Sequence, residues 1–278
     1  MVKKLLKHEF IYYFRTFSLF LPIVLVIGVM ARVFRALNAA NVNAEPEIKT
    51  ITGIASFSAQ AMLFVACAAI LILSFVICIV RFYKNMYSAE GYLTFTLPVT
   101  NAQHIFVKLL VAMVCHTVCV LTVMAAGCIA LWGEDLIKIF KVLGNLIREI
   151  FSACGAAHSV IYIIEVILLI VLSAASNILL YYACITVGQT AKKNRILLAI
   201  GAYFIYYVAS QAVATVFTIV VTVVGMTTDL VRLLEWIGTH YVATIHIYLG
   251  GMVVLTAVMA AVFWLVTQTI MTKKLNLE

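Results

Sequence analysis

Six long apolar runs constrain the fold of this chain more than any other feature. They cover about 17–34, 59–82, 105–132, 160–187, 196–226 and 245–271. A transmembrane helix needs ~20 mostly apolar residues to cross ~30 Å of hydrocarbon. In lipid, every backbone hydrogen bond must also be satisfied inside the protein. The runs therefore predict an all-α, polytopic membrane protein with six transmembrane helices.

Composition excludes several other classes of protein. The chain is 65% hydrophobic and 11% charged, far from the soluble range of about half apolar and a quarter charged. Its net charge of +8 comes from basic residues at the ends of apolar runs, not from one basic face, so we expect membrane lipid and no nucleic acid as a partner. The seven cysteines show no repeated spacing suited to zinc or disulfides, and no metal site is predicted.

The first residues have a helical amphipathic pattern. One face collects the apolar side chains, and the charged ones lie elsewhere; the apolar set is Val2, Leu5, Leu6, Phe10, Tyr13, Phe14 and Phe17. This predicts an amphipathic interfacial helix over 1–16, with a basic flank that merely orients the first span as the alternative. Because the pattern runs directly into that span, we expect no cleaved signal peptide. Similar patterns predict surface helices within 133–159 and 227–241.

The distribution of charge predicts the orientation. Basic residues outnumber acidic ones in the segments on the side of both termini, whereas the two balance in the opposite segments. Lys and Arg favour short cytoplasmic loops. We therefore expect both termini in the cytoplasm. The basic residues assigned to the inside are Lys3, Lys4, Lys7, Arg15, Arg81, Lys84, Lys108, Lys192, Lys193, Arg195, Lys273 and Lys274.

The polar interruption at 81–110, between the second and third runs, has the pattern of a docking loop, here called the elbow. Glu90-Gly91 indicates a turn, 92–97 a short apolar helical piece, and Pro98 its end, because proline cannot donate an amide within a helix. Thr100 and Gln103 then fit a capping box that begins the next helix.

The elbow also resembles a known family. Its sequence is Glu90-Gly91-Tyr92-Leu93-Thr94-Phe95-Thr96-Leu97-Pro98-Val99-Thr100, followed by Lys108-Leu109-Leu110. This resembles the E-G-x-L…L-P-V-[ST]…K-L segment of permease subunits in ABC-2 type ABC transporters. In that family the segment joins the second and third membrane helices and carries the coupling helix that contacts the ATPase. The alternative is that any short loop between helices needs a turn, a proline and a cap.

The resemblance implies a specific assembly. The chain would form one ABC-2-like transmembrane domain over 1–278, in the bacterial cytoplasmic membrane, paired with a second permease copy or a paralogue. Separate ATPase subunits would bind ATP and Mg²⁺, and this chain would bind no cofactor. The complex would export a peptide, lipid, glycan or drug. The implied ATPase-coupling residues are Glu90, Gly91, Tyr92, Leu93, Phe95, Leu97, Pro98, Thr100 and Gln103.

The chain lacks the motifs of an enzyme. It contains no Gly-Lys dipeptide, and so no phosphate-binding G-x-x-x-x-G-K-[ST] loop. His8-Glu9 has no second histidine at the spacing of a metalloprotease, and Asp135 and Asp229 both fall in loops. No catalytic residue is predicted. The other classes left open are a membrane scaffold or sensor that docks a cytoplasmic partner, and an ion-coupled carrier, against which the absence of repeats and central charges counts.

Polar side chains within lipid are the remaining candidates, because they are costly to bury there. Glu165 lies near the outer end of the fourth span, where it either pairs at the interface or lines a substrate path. Asn177 and Gln211 are more typical of hydrogen bonds between helices than of substrate contacts. Cys115 and Cys119 share a helical face that His116 does not, which favours core packing over a metal site.

The topology is directly testable. A reporter fused after Glu278 is expected to be active inside the cell, because the charge bias places that terminus in the cytoplasm. Tags at Asn43, Lys141 and Arg232 are expected to react with an impermeant reagent added outside. External labelling of a tag at Lys192 would overturn the model.

Overall fold

The computed structural model describes residues 2–88, 90–91, 96, 99–191, 193–227 and 230–273. These residues form helices and short connections, with no strand among them. The helices are α1 (Val2–Ala40), α2 (Pro46–Tyr87), α3 (Asn101–Ala130), α4 (Glu134–Cys154), α5 (Ala156–Gly188), α6 (Arg195–Thr227), α7 (Leu230–Thr239) and α8 (Tyr241–Lys273).

Six of the described helices are long and apolar enough to cross a membrane. They are α1, α2, α3, α5, α6 and α8, one for each predicted run. The predicted all-α fold is confirmed for the described residues, and the six long apolar helices support a multi-pass membrane protein. The amphipathic patterns at 133–159 and 227–241 correspond to α4 and α7, which are helical as their spacing predicted.

Helix boundaries extend well beyond the apolar runs. The predicted interfacial helix 1–16 and the first span form one continuous helix, α1, which also contains Pro22. The polar stretch 36–58 between the first two apolar runs is predicted from the sequence to be a loop. This is wrong over most of its length, because α1 continues to Ala40 and α2 begins at Pro46. Proline is favoured in the first turn of a helix, where its missing amide costs nothing. The end of an apolar run marks the expected edge of the lipid, whereas the helix continues beyond it through polar sequence.

The chain divides into two compact units that interleave along the sequence. Unit 1 comprises 1–81 and 97–147, and unit 2 comprises 82–96 and 148–278. Both boundaries of the segment 82–96 fall in the elbow. The single domain predicted over 1–278 stays a prediction.

In unit 1, α1 and α3 pack along each other, and α2 adds to the same core. The buried core residues are Tyr13, Phe17, Val24, Ile70, Val107, Val111, Cys119 and Ala126. Of the predicted apolar face, Val2, Leu5, Leu6 and Phe10 pack against this core, whereas Phe14 is exposed. The first turns of α1 therefore bury an apolar face within the protein.

The helices α1 and α3 approach each other closely at Gly28. A Cβ atom there would lie 3.0 Å from the carbonyl oxygen and 3.3 Å from the Cβ atom of Ala126. Small residues at such crossings let two membrane helices approach closely, which maximises van der Waals contact where lipid provides no hydrophobic driving force. Glycine at this position therefore sets the spacing of the two helices.

In unit 2, α5 packs along α8 and α6. The last turns of α2 belong to this unit and pack on α5: Phe82 stacks on Tyr182 at 3.8 Å between ring centroids, and the Tyr87 and Thr186 hydroxyls lie 2.7 Å apart. The connection from α5 to α6 is tight, since Asn194 adopts a left-handed φ of 58°. A short turn of this kind reverses the chain direction.

Within each unit, contacts join residues that the topology places on one side of the membrane. Arg35 and Asp135, both predicted outside, form an ion pair in unit 1. In unit 2, Tyr87 and Thr186 are both near segments predicted inside. These contacts agree with the predicted alternation of the spans. The assignment of one side to the cytoplasm stays a prediction.

Replacing Gly28 with leucine is expected to destabilise the fold by about 1–3 kcal/mol, the usual cost of overpacking, because the new side chain meets the α3 backbone. Gly127→Leu is the matched control, since a Cβ atom at Gly127 would meet nothing within 4 Å. Thermal unfolding of both variants in the same detergent measures the difference. Equal stability would contradict the close crossing.

Candidate functional site

Within the elbow, α2 ends at Tyr87 and α3 begins at Asn101. The Gln103 amide donates to the Thr100 hydroxyl oxygen at 3.4 Å, and the Thr100 amide donates to the Gln103 side-chain oxygen at 3.2 Å. This reciprocal pair satisfies two amides that a helix start leaves without partners. The predicted capping box is confirmed, and it fixes where the elbow enters α3.

At the other end of the elbow, Glu90 is exposed and Gly91 is buried. The Gly91 amide donates to the Ser88 carbonyl at 2.7 Å. A Cβ atom at Gly91 would lie 2.7 Å from the Met86 carbonyl oxygen, so any larger residue would displace the backbone. Glu90 and Gly91 are helical, so the turn predicted at these two residues is wrong, and it is the close approach to Met86 that requires glycine.

The centre of the predicted coupling segment lies outside the described residues. This applies to Tyr92, Leu93, Phe95, Leu97 and Pro98. The coupling helix itself therefore stays a prediction. The described geometry concerns the residues on either side of this segment.

A buried group of charges in unit 1, here called the Glu9 cluster, joins α1 to α2 and α3. The Lys108 ammonium donates to Glu9 Oε1 at 2.7 Å, and Arg81 Nε donates to Glu9 Oε2 at 3.1 Å. Arg81 also stacks its guanidinium carbon 3.9 Å from the ring centroid of Tyr12. The three helices therefore meet at one carboxylate.

The charged side chains of the Glu9 cluster are largely buried, which raises the cost of breaking their contacts. Side-chain exposure is 3% for Glu9, 4% for Lys108 and 17% for Arg81. A buried charge is tolerated when it is paired and hydrogen-bonded, and is very costly when left alone. Because the carboxylate accepts from both cations through different oxygens, each charge depends on the geometry of the other two. The cluster thus fixes the positions of α1, the end of α2 and the start of α3.

Sequence reasoning missed this cluster. Arg81 and Lys108 were assigned as orienting charges at the membrane surface, yet Lys108 is buried and faces Glu9. Two signals pointed to it: Glu9 is the one acid in a basic amphipathic segment, and Lys108 stands within an apolar helical run. Neither signal identified the partners, which are 72 and 99 residues from Glu9 along the chain.

No protein-family model, curated protein or solved structure matches the chain. The resemblance to ABC-2 permeases therefore rests on the elbow sequence and on the arrangement of six apolar helices.

The three polar candidates within spans have different surroundings. The two carboxylate oxygens of Glu165 lie 3.0 and 3.1 Å from Nδ1 of His246, so this acid pairs across two helices of unit 2. Asn177 is exposed and donates to the Ser173 carbonyl of its own helix at 2.9 Å, instead of to a neighbouring helix of the chain. Gln211 is exposed on α6. The structure does not bring these three residues together.

The cysteines and histidine of α3 face different neighbours. Cys119 belongs to the core shared with α1, whereas His116 Nδ1 lies 2.9 Å from the Ser74 hydroxyl of α2. The His116 ring also packs on Phe75 at 4.5 Å between centroids. Among the residues the structure describes, no three His, Cys, Asp or Glu side chains come together as metal ligands.

Glu9→Gln is expected to destabilise the chain by about 3–5 kcal/mol, because it leaves Lys108 as a buried charge without its anion. The double variant Glu9→Gln with Lys108→Met is expected to recover part of this loss by removing the orphaned charge. Thermal unfolding in detergent measures both variants.

The control is Lys7→Gln, which changes an exposed charge on the same helix. If Glu9→Gln is no more harmful than Lys7→Gln, the cluster does not hold these helices together.

Proposed function

We propose that the chain is the membrane-spanning permease subunit of an ABC-2 type transporter, driven by separate ATPase subunits that bind the elbow. One observation carries the proposal: the E-G…L-P-V-T segment lies between the second and third membrane-crossing helices and leads directly into a capped helix start. A loop held firmly at both ends is suited to receive a mechanical input from a partner.

The Glu9 cluster supports a route for that input. A force applied at the elbow would reach α3 through its capped first turn and α2 through the close approach of Gly91 to Met86. Since Lys108 and Arg81 both bind Glu9, a displacement of either helix changes the contacts of α1. ATP-driven closure of the ATPase pair would therefore move three helices of unit 1 together. The two states must bind the substrate differently for ATP to do work on it.

The elbow also connects the two compact units through the covalent chain. The division of the chain falls at 81/82 and again at 96/97, one boundary on each side of 90–91. Transport in the outward direction, of a peptide, lipid, glycan or drug, is the direction typical of the family.

A second permease, either another copy or a paralogue, completes the proposed complex. The most apolar stretch of α6 buries none of its residues within the chain, and exposed Gln211 lies in this helix. An amide side chain is costly against lipid but favourable against another helix, where it finds a hydrogen-bond partner. Helix α6 is therefore our choice for the contact between permeases.

The alternative function is a scaffold or sensor that uses the same elbow to hold a cytoplasmic partner without transport. The described structure favours neither directly, since both functions need an exposed docking loop. ATP hydrolysis separates them, because a transporter requires a partner ATPase whose activity responds to substrate.

Glu90→Arg and Leu97→Asp are each expected to leave the chain inserted in the membrane but to weaken ATPase binding more than tenfold. Losing an interface anchor or reversing a paired charge costs on the order of 2 kcal/mol. The measurements are co-purification of an ATPase with the tagged chain from its native membrane, and substrate-dependent ATP hydrolysis in liposomes.

Lys141→Glu is the matched charge reversal, at an exposed position of α4. It is expected to retain the complex and its activity. Elbow variants that retain full complex and full coupled hydrolysis would show that this loop does not couple. A complex without any ATPase would favour the scaffold function.

A further inference from the structure

Three titratable side chains form a continuous hydrogen-bonded chain between α5 and α8 in unit 2. Nδ1 of His246 lies 3.0 Å from a carboxylate oxygen of Glu165. On the other side of the same ring, Nε2 of His246 lies 3.2 Å from Nδ1 of His158. The order is therefore carboxylate, imidazole, imidazole.

This series of three side chains begins at an exposed residue and continues further along α5. His158 is exposed in the first turn of α5, whereas Glu165 and His246 keep only 21% and 23% of their side chains exposed. Glu165 follows His158 by two helical turns, about 10 Å along the helix axis. An aqueous proton thus has access to one end, and a partly buried carboxylate occupies the other.

With Glu165 ionised and both rings neutral, these contacts allow one arrangement of the protons. An imidazole nitrogen that faces a carboxylate must carry hydrogen, so in the neutral state Nδ1 of His246 is a donor and its Nε2 an acceptor. Nδ1 of His158 must then donate to that Nε2 atom. Among the imidazole nitrogens of the two rings, Nε2 of His158 is then the one left free to accept a proton.

We infer that His158, His246 and Glu165 form a proton-binding site whose ligand is a proton taken from water. The proton binds Nε2 of His158, and the Nδ1 proton of His158 passes to Nε2 of His246. His246 is then an imidazolium that donates Nδ1–H to Glu165 and Nε2–H to His158. His158 is neutral again, now with its proton on Nε2, so one proton has entered and no other species is consumed.

Electrostatics favours this uptake. Without the proton the site carries one net negative charge, contributed by Glu165, in a helix long and apolar enough to cross a membrane. Bound to the site, the proton converts that charge into a neutral ion pair while both hydrogen bonds between the three side chains are kept. Charged groups in membrane helices are stabilised by such pairing. Imidazole is the side chain whose charge ordinarily changes between pH 5 and 8.

Other titratable groups near the site occupy defined places. The Tyr162 ring packs 4.3 Å from the His246 ring and its hydroxyl donates to the Val242 carbonyl at 2.9 Å. Cys154 of α4 and Tyr241 of α8 lie beside Tyr162. From the described part of α7 and its end, His240 stacks on Trp236 and is engaged there instead of at the site. The site is therefore defined by the three side chains that contact one another, Glu165, His246 and His158.

Nitrogen-15 magic-angle-spinning NMR of the full chain tests the site, because the protein has only six histidines. Histidine-labelled protein in phosphatidylcholine vesicles is titrated from pH 8.5 to 5, with His158→Gln and His246→Gln used for assignment. We expect His246 to become an imidazolium while the proton of neutral His158 moves from Nδ1 to Nε2 over the same pH range. The joint change is a signature that two independent histidines would not give.

Glu165→Gln supplies the decisive comparison. It keeps a hydrogen-bond acceptor but removes the counter-ion, so at the pH where His246 of the unmodified protein is charged, the variant is expected to keep a neutral ring. His240→Gln is the matched control and is expected to change neither ring.

Three results would overturn the proposal. One is charging of His246 without a tautomer change in His158, and another is an unchanged His246 titration in Glu165→Gln. The third is displacement of both ring signals by added zinc at pH 8.5 in the absence of competing chelator, which would make the pair a metal site.

Discussion

Pairing of a buried carboxylate with two cations is the interaction on which the elbow end of unit 1 depends. Glu9 cannot be left alone in an apolar surrounding, and neither can Lys108, so α1, α2 and α3 are held where their charges meet. Apolar side chains from Tyr13 to Val111 form the core around it, and Gly28 sets how closely α1 and α3 approach.

Unit 2 uses polar contacts between helices in a similar way. Glu165 on α5 pairs with His246 on α8, and Tyr162 closes over the same ring. In both units a carboxylate within an apolar helix has its partner on a different helix. This agrees with the cost of charge in lipid, which leaves few arrangements in which such residues persist.

The sequence predicted elements well where the signal is local. The apolar runs found all six membrane-crossing helices, the amphipathic spacing found α4 and α7, and Thr100 with Gln103 gave the start of α3. It failed at 36–58, because hydropathy reports the lipid boundary and not the end of a helix. Asn177 donates to a carbonyl of its own helix, an option always open to a short polar side chain, and its expected contact between helices stays a prediction.

The sequence by itself determined that the chain is helical, crosses a membrane several times and carries a capped elbow, because hydropathy, helical period and caps depend on residues a few positions apart. Only the tertiary structure decided which polar groups meet. Glu9 reaches Arg81 and Lys108 across 72 and 99 residues, and Glu165 reaches His246 across 81. Such pairings depend on how helices pack and rotate against one another, and no local pattern records that information.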